Sequence, residues 1–265
     1  MNDLSIKWKD FYKNVFALVV PMALQNLINV GVTAADVVML GKVSEKVLSG
    51  ASLAGQIQYI MVLFLFGLTS GATVLTAQYW GKGDKTAIEK ILALGIRSAV
   101  IITAIFTIAA FTIPASLMRI FTNDPQVITE GVKYLRIVAC SYIIMGITNV
   151  YLYVMRSIER VIVATVVYLA SFSCNVIFNA IFIFGLFGFP ALGIRGAAIA
   201  TLIARIMELV LVCGYAKIYN KDVKFRVHYF LHQDKLLVRD FLVYSLPVVL
   251  NEVMWGLGTS ANTAV

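Results

Sequence analysis

A chain of 265 residues that is 60% hydrophobic and 14% charged, with net charge +8 and mean hydropathy +0.86, is not a soluble globular domain, since such domains carry about 45–50% apolar and about 25% charged residues. The apolar residues fall in separate runs with the charge between them, which describes a polytopic membrane protein and excludes a nucleic-acid binder, whose basic patch lies on a soluble face. The three cysteines, Cys140, Cys174 and Cys213, stand inside apolar runs without CxxC spacing; they read as packing residues, with no disulfide and no metal.

A membrane helix needs about 20 mostly apolar residues, and seven segments qualify: 15–40, 53–80, 95–118, 135–155, 161–187, 196–215 and 241–265. The opening MNDLSIKWKDFYKN has no small-residue cleavage site, so the first segment reads as a retained span. It holds Pro21 and, in an otherwise uncharged run, one carboxylate, Asp36. GKVSEK and GKGDK bracket the second span, FTNDPQ follows the third and RSIER the fourth, all of them charged or turn-rich. The fifth span carries Asn175 and Asn179, four apart and so on one helical face. A Gly/Pro turn, GLFGFPALGIRG, leads into the sixth, which holds Thr201, Arg205 and Glu208. The charged stretch Lys217 to Asp240 reads as an amphipathic surface segment between two halves, and the seventh span carries Pro247 and Glu252.

With the N-terminus inside, the outer loops hold only Lys42, Lys46, Arg119, Lys133, Arg136 and Arg195 of the 22 Lys and Arg, and Arg205 lies within a span. The positive-inside rule therefore predicts a cytoplasmic N-terminus. FALVVPMALQN and LVYSLPVVLNE, each after a charged segment, align Pro21 with Pro247 and Gln25 with Asn251; Thr33 then meets Thr259 and Asp36 meets Asn262. An even number of spans separates the two, so the seventh span reads as the start of a second copy in the same orientation, a repeat architecture common in transporters. The expectation is an all-α polytopic protein: a six-helix lobe over 1–216, a cytoplasmic linker over 217–240 and an incomplete second lobe from 241 to 265. A complete second copy implies roughly 450 residues, and the stop at SANTAV inside an apolar run reads as a truncated half. A true seven-span receptor-like or structural protein is the alternative.

An ionised carboxylate at the bilayer centre costs at least about 2.5–3.5 kcal/mol on insertion scales, so Asp36 is either a hydrogen-bonded structural residue or a cation site. Asp36, Asn175 and Asn179 fall in the outer halves of outward-running spans, and Thr201 in the outer half of an inward-running one. The four come to a similar depth and form the candidate cation site; the two amides alone could equally be interhelical glue. Arg205 and Glu208, three apart, read as a local ion pair, or as part of a coupling network. Glu252, near the middle of the seventh span, is a second cation-site candidate whose partners would come from the missing half. Pro21 and Pro247 each remove a helical hydrogen bond and are predicted kinks. His228 and His232, with Asp234 nearby, lack a third placed ligand for a metal. No Walker motif and no nucleophile constellation is present, which argues against an ATP-driven pump or an enzyme.

VPMALQNLINVGVTAADVVMLG, TAQYWGKGD, CNVIFNAIFIFG, ALGIRGAAIATLIARIMELV and SLPVVLNEVMWGLGTSANTAV, in this order and spacing, resemble the multidrug and toxic compound extrusion (MATE) family of secondary transporters over nearly the whole chain. The resemblance implies twelve helices in two six-helix lobes around a central cavity in the plasma (inner) membrane. It implies export of cationic or amphipathic compounds against inward H⁺ or Na⁺, with no cofactor beyond that ion. It assigns an N-lobe cation site to Asp36 with Asn175 and Asn179, and a C-lobe site to Glu252. Asn179 stands where some members have an acid, which leaves Asp36 as the acid of the cluster. A flippase for lipid-linked precursors, from the same broad superfamily, is a rival, but such proteins line the cavity with several basic residues and here the spans offer Arg205. A fragment without activity until its second lobe is present is a further reading.

Overall fold

The computed structural model describes residues 8–231 and 234–263. Its elements are helices: α1 (Trp8–Gly41), α2 (Glu45–Gly81), α3 (Lys85–Thr112), α4 (Pro114–Arg119), α5 (Pro125–Val138), α6 (Tyr142–Ser157), α7 (Val161–Phe184), α8 (Ile194–Ile218), α9 (Val227–Leu231) and α10 (Lys235–Thr263). Six segments among the described residues are long and apolar enough to cross a membrane: α1, α2, α3, α5 with α6, α7 and α8. α10 covers residues 241–263 of the predicted seventh span and is not among those six.

Several helices outrun the predicted spans because capping, not hydropathy, decides where a helix begins. Ser44, Asp84 and Asp124 each accept a backbone N–H from the first turn of α2, α3 and α5, an interaction worth about 1 kcal/mol. α2 and α3 therefore start at Glu45 and Lys85 rather than 53 and 95. The predicted third span is cut short. Pro114 disfavours helical geometry at the residue before it, so α3 ends at Thr112 and α4 starts afresh at the proline. The fourth span is longer than predicted and interrupted by a 3₁₀ turn at Ala139–Ser141. There the hydroxyl of Ser141 donates to the carbonyl of Val138 at 2.7 Å and Thr107 of α3 donates to that of Ala139 at 3.3 Å, so side chains occupy carbonyls of the helical ladder.

Met61, Ile88, Leu92, Leu152 and Met155 fill the fully buried centre between α2, α3 and α6. Val20 and Leu27 of α1, Ile101 and Ile105 of α3, and Ile162 and Val166 of α7 are exposed, as suits faces turned to lipid, where apolar surface needs no cover. Pro21 and Pro247 lie inside unbroken helices. α10 packs on α2 where Gly67 and Gly71 present backbone: a Cβ on Gly67 would lie 2.5 Å from Val249 Cα, and one on Gly71 2.8 Å from Ser245 N. α7 and α8 form a hairpin that turns at Gly185, whose φ of +74° is a left-handed conformation glycine adopts without strain.

The segment predicted as an amphipathic surface element shows, among its described residues, irregular chain and the short α9, followed by the first turns of α10; most of it is exposed, with Val223 and Leu237 buried. Of its two histidines, His228 lies on α9 and His232 lies outside the described residues. The cysteines are free; Cys174 is buried as a packing residue, whereas Cys140 and Cys213 are exposed, contrary to the expectation for all three.

Candidate functional site: a polar cavity between six helices

A cavity of about 650 Å³ opens between α1, α2, α5, α6, α7 and α8. Asp36, Tyr59, Tyr134, Asn149, Thr201 and Arg205 supply much of its polar wall, and Val62, Met145 and Phe172 part of its apolar wall. Asp36 reaches it from near the end of α1, Asn175 from the second half of α7, and Thr201 from the second turn of α8. The α7–α8 hairpin thus brings the two polar stretches to one depth.

The four residues of the predicted cation site form one hydrogen-bonded chain. Asn179, fully buried, donates through Nδ2 to Asp36 Oδ1 and to Asn175 Oδ1, the latter at 3.0 Å. Asn175 Nδ2 donates in turn to Thr201 Oγ1 at 3.4 Å. The Oδ1 of Asn179 is buried without a protein partner. A chain in which an amide gives both hydrogens away and keeps an open acceptor beside a carboxylate has the acceptor capacity for one more donor or cation.

Arg205 and Glu208 form the predicted ion pair, Nη1 to Oε2 at 2.7 Å. Glu208 is fully buried and accepts the hydroxyl of Thr148, on α6, at 2.6 Å. Glu252 stands apart. It is half-buried on the stripe of α10 that contains Ser245, Val249 and Gly256, facing α2, and it is not part of the cavity wall.

Sequence reasoning missed Tyr134 and Tyr168 of the cavity wall, Thr148 behind Glu208, and Gln25. Gln25 is buried, and its Nε2 donates to Val161 O at 3.2 Å and to Thr165 Oγ1 at 2.7 Å, tying α1 to α7 one turn after Pro21. The signal for it was present, because a lone amide in an apolar span needs a partner. For the tyrosines and Thr148 there was none.

The sequence model of the MatE family matches residues 21–181, the stretch that carries Pro21, Gln25, Asp36, Asn175 and Asn179. The chain belongs to the MatE family. It is 28% identical over 198 residues to a probable multidrug resistance protein NorM of Thermotoga maritima, a match covering 73% of this chain and 42% of that protein. It is 30% identical over 207 residues to the probable NorM of Bacillus licheniformis, covering 76% of this chain and 44% of the relative. Among solved structures, a MATE transporter in a bent conformation superposes with a TM-score of 0.82 at 20% identity, over 91% of this chain and 53% of the other. An outward-facing MATE transporter of the MOP superfamily matches with a TM-score of 0.81 at 19% identity, over 91% of this chain and 52% of that one. The chain thus spans about half the length of the relatives it matches. It is an all-α, multi-pass membrane protein with the MATE fold, from a family of transporters and not of enzymes.

Proposed function

We propose that this chain is the N-terminal lobe and inter-lobe linker of a secondary antiporter that exports cationic or amphipathic compounds against inward H⁺ or Na⁺. Residues 1–216 form the lobe and 217–240 the cytoplasmic linker, and 241–265 begin a second lobe that transport requires. The protein sits in the plasma (inner) membrane with its N-terminus in the cytoplasm, as the distribution of Lys and Arg favours. The observation that carries this reading is Asp36, a carboxylate in the wall of an intramembrane cavity, joined to buried Asn179 whose own carbonyl oxygen is open.

In this reading Asp36 takes the coupling cation, with Asn179 Oδ1, Asn175 and Thr201 as its polar surroundings, and cation binding removes the cost of a bare carboxylate in the membrane. α1 then bends near Pro21, where the proline removes a helical hydrogen bond, and repacks against α7 by loosening the Gln25–Thr165 contact. Drug release and cation binding compete through the change in cavity shape. Glu252 belongs to a second cation site completed by the other lobe, and Pro247 is the corresponding bend in α10. The flippase alternative is disfavoured because, among the described residues, the cavity wall offers one basic side chain, Arg205, and Asp36 would repel a pyrophosphate.

The test is ethidium efflux from cells expressing the protein from its native gene. Asp36→Asn is expected to reduce cation-driven efflux to the background of cells without the protein, and Glu252→Gln to weaken it. Drug-driven cation exchange that persists in Asp36→Asn would sink the proposal.

A further inference from the structure

Arg205 stands between two carboxylates. Behind it lies Glu208, fully buried and held by the guanidinium and by Thr148. In front lies the cavity. The side chain of Arg205 is 24% exposed there, that of Glu208 is 0% exposed, and Asp36 shares the same wall within Coulombic reach of the guanidinium. Thr201, Arg205 and Glu208 follow one another at i, i+4 and i+7, on one face of α8. The hydrogen-bonded chain from Asp36 reaches Thr201, one turn from Arg205, and Thr201 is also bonded to Tyr134.

The titratable groups around this space are few. Among the described residues, α1 brings Asp36 to the cavity wall, α2 Tyr59, α5 Tyr134, α7 Tyr168 and α8 Arg205 itself, with Glu208 behind it. α6 contributes Thr148 and Asn149, which do not titrate, and behind the wall Tyr142, beside Tyr134, and Arg156, whose guanidinium lies 5.8 Å from the Tyr168 ring centre. A guanidinium keeps its proton at any working pH. The ion pair is neutral at a distance, but not at the range of the cavity, where its positive member is in the wall and its negative member lies behind. Charges that share the wall of a low-dielectric cavity are weakly screened from one another.

We propose that Arg205 is a built-in counter-cation that weakens the hold of Asp36 on the coupling ion, so that the ion leaves the site as readily as it arrives. The proposal rests on the reading of Asp36 as the cation site. Glu208 and Thr148 are positioning residues: they hold the guanidinium back and set how strongly it opposes the ion.

The readout is the concentration of coupling cation, H⁺ or Na⁺, that gives half-maximal dye efflux in proteoliposomes containing the protein expressed from its native gene. Arg205→Gln is expected to lower that concentration about tenfold, the low end of what a neighbouring charge does. Glu208→Gln, which releases the guanidinium toward Asp36, is expected to raise it about tenfold. Arg205→Lys keeps the charge and stays within about threefold of wild type. Each neutralising variant leaves a buried partner unpaired, which destabilises the fold. The exchanged pair R205E/E208R therefore provides a second arm: it retains a neutral buried pair but turns the carboxylate toward the cavity, and its half-maximal concentration is expected to fall at least as far as that of Arg205→Gln. A purely structural pair would move Arg205→Gln and Glu208→Gln in the same direction and leave the exchanged pair unchanged, and either result overturns the proposal. If Asp36→Asn leaves the cation dependence intact, the cation-site reading has failed. If it abolishes the dependence while the Arg205 series does not diverge in sign, only the counter-cation has failed.

Discussion

Asn179 carries more of the site than its neutral side chain suggests, because one amide serves both Asp36 and Asn175. Asn179→Ala strips buried Asn175 and half-buried Asp36 of a shared donor, at about 1–3 kcal/mol for a buried group left unsatisfied, and also removes the open oxygen. The expected result is a lower thermal unfolding midpoint in detergent and, beyond that, loss of the rise in midpoint that the coupling cation gives the wild type. Undiminished stabilisation by the cation in Asn179→Ala would mean that the open oxygen is only a packing accident. Asp36, Asn175, Asn179 and Thr201 were legible in the sequence for one physical reason: a polar group inside an apolar run is costly unless something in the fold receives it, and the spacing of 175 and 179 put both on one face. Tyr134 and Tyr168 were not legible, since a tyrosine in a membrane helix serves equally as an interfacial anchor or as cavity lining. Gln25 announced that it needed a partner but not which one, for Thr165 lies in another helix far along the chain.

Hydropathy locates a helix and says little about what it touches. The described residues of the seven predicted segments fall mainly on helices, yet the fifth ran past the end of α7, Pro114 ended α3 early and a 3₁₀ turn divided α5 from α6. The proline was visible in the sequence. The turn was not, because Ala139–Ser141 contains neither Gly nor Pro and the carbonyl of Ala139 is taken by a threonine of α3. The partner of α10 was likewise hidden. The spacing of Gly67 and Gly71 is that of a small-xxx-small contact, but it names no partner, and the structure assigns it to α10 through Val249 and Ser245. Gly71→Val is therefore expected to push α10 off α2 and to destabilise by about 1–3 kcal/mol, as overpacking does. Removing the hydroxyl in Gly71→Val/Ser245→Ala is expected to restore little, since the backbone N and Cα of Ser245 lie 2.8 and 2.9 Å from where the new Cβ would sit. Thermal unfolding in detergent reads both variants. Full rescue by the alanine would show that the contact is between side chains only.

At the scale of the whole molecule, the strap over residues 220–226 is tied across one end of the lobe. Asp222 lies between Lys85 at 2.8 Å and Arg160 at 3.1 Å. Glu89, on α3 and almost fully buried, takes Arg226 Nε at 2.8 Å and the backbone N–H of Lys224 at 3.1 Å. Asn220 donates to Tyr151 Oη at 2.9 Å and its Oδ1 receives the N–H of Val223 at 3.2 Å. The sequence showed the strap's charge but not these pairings, since Lys85, Glu89 and Arg160 belong to other helices. Such pairs are individually weak at a surface, but together they fix a backbone stretch that joins α8 to α10. Lys85, and then Arg160, hold the Asp222 carboxyl below the usual carboxylate range. The sign follows: the contribution is complete above the ordinary aspartate pKa of about 3.9 and is lost as pH falls through the depressed value, so Asp222 supports the strap at neutral pH and ceases to do so only below about pH 4. Hydrogen exchange of residues 220–226, corrected for intrinsic rates, is the measurement. Asp222→Asn and Glu89→Gln are each expected to speed exchange at Val223 and Lys224 at neutral pH. Wild type is expected to match Asp222→Asn only in acid, and about 1 M salt, where the Debye length is about 3 Å, to act mainly on the exposed Lys85 and Arg160 pairs and less on buried Glu89. Exchange in the strap that ignores both substitutions would make it a loose tether, and the coupling of α10 to the lobe would then rest on its own packing, through the glycine contact with α2 and the buried Leu237 and Phe241.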